Sequence, residues 1–211
     1  MIKDIKLYGD TILTRPCHKV TEYNEELEEF VLDMIETLRH HKALGLSAPQ
    51  VGLSKQILII NQLENLPLIF INPTIIEHTM DMEIEKEACL SLPGITCDIP
   101  RFKEITVLFN DLEGAIQTAV LVDEEARIFQ HELDHLNGKL MTFHLTPVRL
   151  GLIQGQLKRI SKYRKFMDKY GNIVNQIAAH SHDSESGIHE IGEVSDSMVQ
   201  SGQKPEMGSS Q

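Results

Sequence analysis

Gln130-His131-Glu132-Leu133-Asp134-His135 is the stretch on which the reading of this chain turns. On a helix, positions i and i+4 share a face, so the imidazoles of His131 and His135 can reach one metal ion. Glu132 follows the first histidine and can turn its carboxylate toward a water held there. The hexapeptide belongs to a longer helical pattern from Glu124 to Leu136, closed by Asn137-Gly138, a common left-handed stop. In a chain with ten histidines such a motif can also arise as an ordinary solvated helix turn. It therefore needs partners from elsewhere in the sequence.

Working outward, Leu27, Phe30, Val31, Met34 and Leu38 recur at helical spacing, and Glu25, Glu26, Glu28 and Glu29 place negative charge at the favourable N-terminal end. Gly45 to Gly52, with a glycine at each end and Pro49 inside, reads as a loop. Gln56 to Asn61, Leu68 to Asn72, Thr74 to His78 and Glu104 to Asn110 are short β-branched-rich runs bounded by turn residues, and read as antiparallel strands. A last helix is predicted from about Pro147 to Lys169. Its buried stripe is Leu150, Ile153, Leu157, Ile160, Met167 and Tyr170; its basic exposed face carries Lys158, Arg159, Lys162, Arg164, Lys165 and Lys169. This order gives an α+β class, with antiparallel sheets packed around a central metal-binding His131–His135 helix and helices toward both ends.

From Gln176 to Gln211 no aromatic residue occurs, serine recurs, and Lys204 is the only base among six acids. Such a segment cannot bury enough apolar area to offset its ordering entropy. The expected organisation is a body over 1–175 and a disordered acidic tail over 176–211, whose His180, His182 and His189 read as solvated. The 211 residues are 41% hydrophobic and 24% charged, the proportions of a globular protein with one real core. A net charge of −11 disfavours general nucleic-acid binding, and no apolar run is long enough for a membrane span. The mixed-charge N-terminus does not read as a signal peptide, and three cysteines do not make a disulfide framework. A cytoplasmic setting is expected.

Two histidines leave a catalytic metal site short of a ligand, because such sites usually take three from the protein and keep one position open. His144 does not arrive at the spacing of an extended zinc-peptidase motif. Cys89, within Glu87-Ala88-Cys89-Leu90-Ser91, is the best candidate, since thiolates bind divalent transition metals strongly. The alternative is a buried small apolar residue, the common fate of a free cysteine and the expected one for Cys17 and Cys97.

Taken in order, Gly45-Leu46-Ser47-Ala48-Pro49-Gln50, Glu87-Ala88-Cys89-Leu90-Ser91 and Gln130 to His135 resemble the three signature motifs of peptide deformylases, and the likeness runs from about Leu7 to Tyr170. The resemblance implies a metal-dependent hydrolase that removes the formyl group from the N-terminal formyl-methionine of new proteins. It implies Cys89, His131 and His135 as ligands of one divalent metal, Fe(II) with nickel, cobalt or zinc as replacements. Glu132 would be general base and then acid, Gln50 and the Leu90 N–H would bind the oxyanion, and Glu87 with Arg101 would form a supporting ion pair. An apolar methionine pocket would involve Leu44, Gly45 and Ile128. Nascent formylated peptides would be the substrate, with the ribosome as a candidate partner through the last helix. Three small departures stand out: Ala43 and Ala88 where the pattern has glycine, and Ser47 where it has alanine. They leave a degenerate, peptide-binding relative as one alternative and a zinc peptidase as another.

Overall fold

The computed structural model describes residues 1–62 and 66–185, with side chains through residue 171. The chain divides into a compact unit, Met1–Asp168, and a second from Lys169 onward. Among the described residues the fold is α+β, with antiparallel sheets and three α-helices. One sheet has five strands in the order β1 (Gly45–Ser47), β2 (Ile57–Ile60), β3 (Leu68–His78), β6 (Glu104–Asn110) and β7 (Ile116–Val122); β4 (Met82–Ala88) and β5 (Thr96–Phe102) form a separate two-stranded ribbon.

The run Ile57-Leu58-Ile59-Ile60 is buried throughout because both of its faces are covered. Ile57 and Ile59 join a cluster with Leu27, Val31, Met34 and Leu38 of α1 (Glu25–His40). Leu58 and Ile60 join the opposite cluster with Phe70, Val107 and the α2 residues Ala126, Phe129 and Leu136, where α2 spans Asp123–Leu136. Each such side chain contributes roughly 1.5–3 kcal/mol on full burial. Helix α1 begins at Asn24, whose side chain accepts from the Leu27 N–H at 3.1 Å, so the acidic first turn is capped as well as charged. Helix α2 lies against β1, β2, β6 and β7 of the large sheet and against β5 of the ribbon. Its end follows the expected stop: Gly138 has φ +69°, and a Cβ there would meet the Arg15 backbone at 2.7 Å.

Several expectations need correcting. Gly45–Gly52 is not simply a loop. Gly45–Ser47 pairs with β2, Ala48–Val51 forms a 3-10 turn, and Gly52 ends it at φ +93°. The runs Leu68–Asn72 and Thr74–His78 are one strand, β3, with a register shift at Asn72-Pro73. Strands β4, β5 and β7 were not foreseen. On α3 (Pro147–Glu185) the stripe is shorter than its periodicity suggests: Leu157 and Ile160 are buried and Ile153 half-buried, whereas Leu150, Met167 and Tyr170 are exposed. Only the turns that meet the cluster of Leu13, Leu92 and Ile95 have apolar surface to cover. Helical backbone continues to Glu185, past the composition change at 176, since no glycine or proline stands between Asn172 and Ser186. The side chains of His180 and His182, residue His189 and the rest of the expected tail from 186 on lie outside the described residues.

Asn72 pins the bulge. It adopts φ +51°, accepts from the Val20 N–H at 2.8 Å, and donates to the Val20 carbonyl at 2.9 Å. Asn72→Ala should cost about 2–4 kcal/mol, from left-handed strain plus two lost hydrogen bonds, and lower Tm by roughly 5–15 °C. Asn72→Gly, which restores the backbone freedom, should lie between the two in thermal melts. A melt equal to wild type for Asn72→Ala would show that the bulge is held by other contacts.

Candidate metal centre

Two elements converge on one point. His131 and His135 are buried on α2, as the i, i+4 spacing requires, and Cys89 follows directly on β4. Their ligand atoms lie within 4.8 Å of one another, with Cys89 Sγ 3.3 Å from His135 Nε2. Burial alone would push the Cys89 thiol up, but the adjacent His135 and His131 imidazoles outweigh it and carry it well below its ordinary value. A thiol lowered in this way can serve as a metal ligand, unlike Cys17 and Cys97, where burial dominates and raises the thiol. The donor set of one soft thiolate and two imidazoles fits a divalent transition metal such as iron, zinc, nickel or cobalt.

The support behind these donors comes from period-two geometry. In the β4–β5 ribbon, Glu83 faces Arg101 and Glu87 faces Cys97, so Glu87 and Arg101 share a face. Arg101 grips Glu87 through two parallel bonds of 2.9 and 3.0 Å, and its remaining terminal nitrogen reaches Asp134 Oδ2 at 2.6 Å. The second Glu87 oxygen meets His131 Nδ1 at 2.8 Å, which leaves Nε2 as the nitrogen available to a metal. Burial works to raise Glu87, yet the bonds from His131 and Arg101 bring its carboxyl down to about 2. Glu87 and Arg101 are thus paired as the sequence suggested. Sequence reasoning missed Arg127, which holds Glu87 at 3.1 Å, Glu85 at 3.0 Å and the carbonyls of Ile99 and Glu83. It also missed Asp134 and His144, whose imidazole caps Asp134 at 2.7 Å. The signal was present: Arg127 stands four residues before His131 and Asp134 three after it, on the same helix face.

Glu132 is buried, and burial raises its carboxyl against the pull of the His131 and His135 imidazoles. Its Oε2 has no hydrogen-bond partner among the described residues. Gly45 allows this carboxylate its place, since a Cβ on Gly45 would lie 2.7 Å from Glu132 Oε1 and 2.6 Å from Ile128 Cγ2. Gln50, in the turn after β1, is buried and directs Nε2 at Cys89 Sγ, 3.6 Å away. A cleft of about 850 Å³ opens over these groups. Leu44, Gly45 and Ile128 line it, as do Ala43, Ala88 and Leu90.

The polypeptide deformylase family profile matches residues 2–150. The chain belongs to this family. A deformylase of Thermotoga maritima is 37% identical over 158 residues, covering 75% of this chain and 96% of that relative. One from Acidobacterium capsulatum is 38% identical over 171 residues, covering 78% and 97%. Among solved structures, a Plasmodium falciparum deformylase superposes with a TM-score of 0.73 at 35% identity, covering 77% of this chain and 97% of its own. A Thermus thermophilus deformylase gives 0.73 at 33% identity, covering 77% and 99%. Deformylases are metal-dependent hydrolases, and the cysteine and two histidines brought together here are a possible site for that metal. No described helix is long and apolar enough to cross a membrane.

The close packing at Gly45 carries a consequence for turnover. Gly45→Ala should displace the Glu132 carboxylate, and a misplacement near 1 Å costs on the order of 10²-fold. Deformylation kinetics should show the loss in kcat while circular dichroism stays native. Wild-type turnover would mean that Ile128 and Glu132 yield without penalty.

Proposed function

We propose that the protein hydrolyses the formamide of N-formyl-methionyl nascent peptides, with Cys89, His131 and His135 holding one divalent metal, Fe(II) in the native state. The observation that carries this reading is the convergence of the three donor atoms beside a buried carboxylate and a buried amide. When bound, such a metal supplies Lewis acidity that activates water near neutral pH and polarises a carbonyl.

The chain's own groups supply the rest. Glu132 Oε2, without a hydrogen-bond partner among the described residues, takes a proton as water adds to the formyl carbon. Its raised pKa suits the task, because the same carboxyl must then give the proton to the departing amine nitrogen as the C–N bond breaks. The products are formate and a free methionyl amine. Gln50 Nε2 and the Leu90 N–H donate to the oxygen that gains charge, and losing one such donor typically costs about 10² to 10³ in rate. Leu44, Gly45 and Ile128 receive the methionine side chain at the apolar part of the cleft. Ala88 is exposed in the cleft wall beside Leu90. Nickel, cobalt or zinc would serve as replacement metals. The exposed basic face of α3, including Lys158, Arg159, Lys162 and Lys165, suits ribosome docking in the cytoplasm.

Glu132→Ala should keep its metal and lose roughly 10² to 10⁴ of kcat, as a base and not a ligand would, whereas Cys89→Ala should lose metal and turnover together. Metal quantified on each purified variant, beside formate release from a formyl-Met peptide, separates the two. Turnover by Glu132→Ala above about a tenth of wild type would remove Glu132 from this role.

A further inference from the structure

Gln50 can serve an oxyanion only if its amide is the right way round. The two ends of the group are nearly the same in shape and opposite in function, and a flipped amide would aim a lone pair at developing negative charge. Gln50 is only 1% exposed, so water does not choose between the two orientations. Ser47 does. Gln50 Oε1 accepts from the Ser47 backbone N–H at 2.8 Å and from the Ser47 hydroxyl at 2.9 Å. The backbone donor can never become an acceptor, and the hydroxyl adds a second donor on the same oxygen. With Oε1 held twice, Nε2 is left to face Cys89 Sγ at 3.6 Å and the cleft beyond.

We infer that the Ser47 hydroxyl is a positioning residue for the reaction, fixing the Gln50 amide so that its NH₂ and not its carbonyl meets the oxyanion. The inference rests on the oxyanion role proposed for Gln50. It concerns a hydroxyl that an alanine at this position would lack. Ser47 is fully buried on β1, paired with Leu58 of β2, so neither its backbone nor its side chain has another solvent to turn to. Here the backbone N–H alone would leave the amide one restraint short, and the hydroxyl supplies it. The Glu132 carboxylate also borders this hydroxyl and is the competing recipient of its proton.

A double-mutant cycle decides between these recipients. Wild type, Ser47→Ala, Gln50→Ala and the double variant are compared at equal metal loading on a formyl-Met peptide. Melting temperature is recorded for each. Ser47→Ala should lower kcat about three- to tenfold, the worth of one neutral hydrogen bond, with KM and metal content unchanged and Tm lower only by the few degrees that losing the Ser47 cap of the 3-10 turn accounts for. In the Gln50→Ala background the same change should cost nothing further, because there is no amide left to orient. An unchanged kcat for Ser47→Ala would overturn the inference. So would an equal loss in both backgrounds, which would assign the hydroxyl to Glu132. If Gln50→Ala itself were nearly silent, the oxyanion reading of Gln50 would fail, a result distinct from a silent Ser47 beside a costly Gln50.

Discussion

The buried carboxylate of Glu87 is the constraint on which this site depends. A carboxylate at 6% exposure is costly unless paired, and Glu87 is paired on all sides, by Arg101, Arg127 and His131. These partners come from β5 and α2, while Glu87 itself is the penultimate residue of β4, so one charged group ties ribbon to helix. Removing it would strand the buried Arg101 guanidinium, a loss of about 3–5 kcal/mol for a broken buried pair. It would also free the His131 ring. Cys89 lies two residues further along the same strand direction, so what fixes Glu87 also fixes the thiol.

Around that anchor the site combines two kinds of precision. The candidate metal donors sit on or beside regular elements, with both histidines on α2 and Cys89 directly after β4, where packing leaves little freedom. The groups that handle protons and charge are placed by close approach instead. Glu132 is accommodated by the missing side chain of Gly45, and Gln50 is held by Ser47 across a single turn. Strand β1 is three residues long, yet it sets the position of both the base and the oxyanion donor in the proposed mechanism. Its register against β2, Gly45 to Ile60 and Ser47 to Leu58, is secured by the fully buried strand beneath it.

Much of this was legible in the sequence, for identifiable reasons. Helix α1 was clear because its apolar residues recur at the helical period behind an acidic first turn, and helix α2 because Asn137-Gly138 marks its stop. The three motifs marked the site because each carries unusual chemistry at short spacing. The ribbon was not legible. Met82-Glu83-Ile84-Glu85-Lys86-Glu87-Ala88 looks like a solvated charged loop, and its charges make sense only once Arg101 and Arg127 are seen facing them. Pro100 likewise argues against a strand, although a two-stranded ribbon tolerates it at an edge. Strand β7 carries a readable signal, the β-branched run Ile116 to Val122 after the turn at Gly114. The extent of α3 burial was not readable at all, since periodicity records which face is apolar and not how much core is available to cover it.

The most direct measurement is metal content and formate release followed together on anaerobically purified protein, before chelation, after it, and after adding back Fe(II) or nickel. The expected result is about one iron per chain, as a three-ligand catalytic site holds. Formate release from a formyl-Met peptide should be lost on stripping and regained with either metal. Formate release that survives complete removal of the metal would contradict a hydrolytic site built on Cys89, His131 and His135.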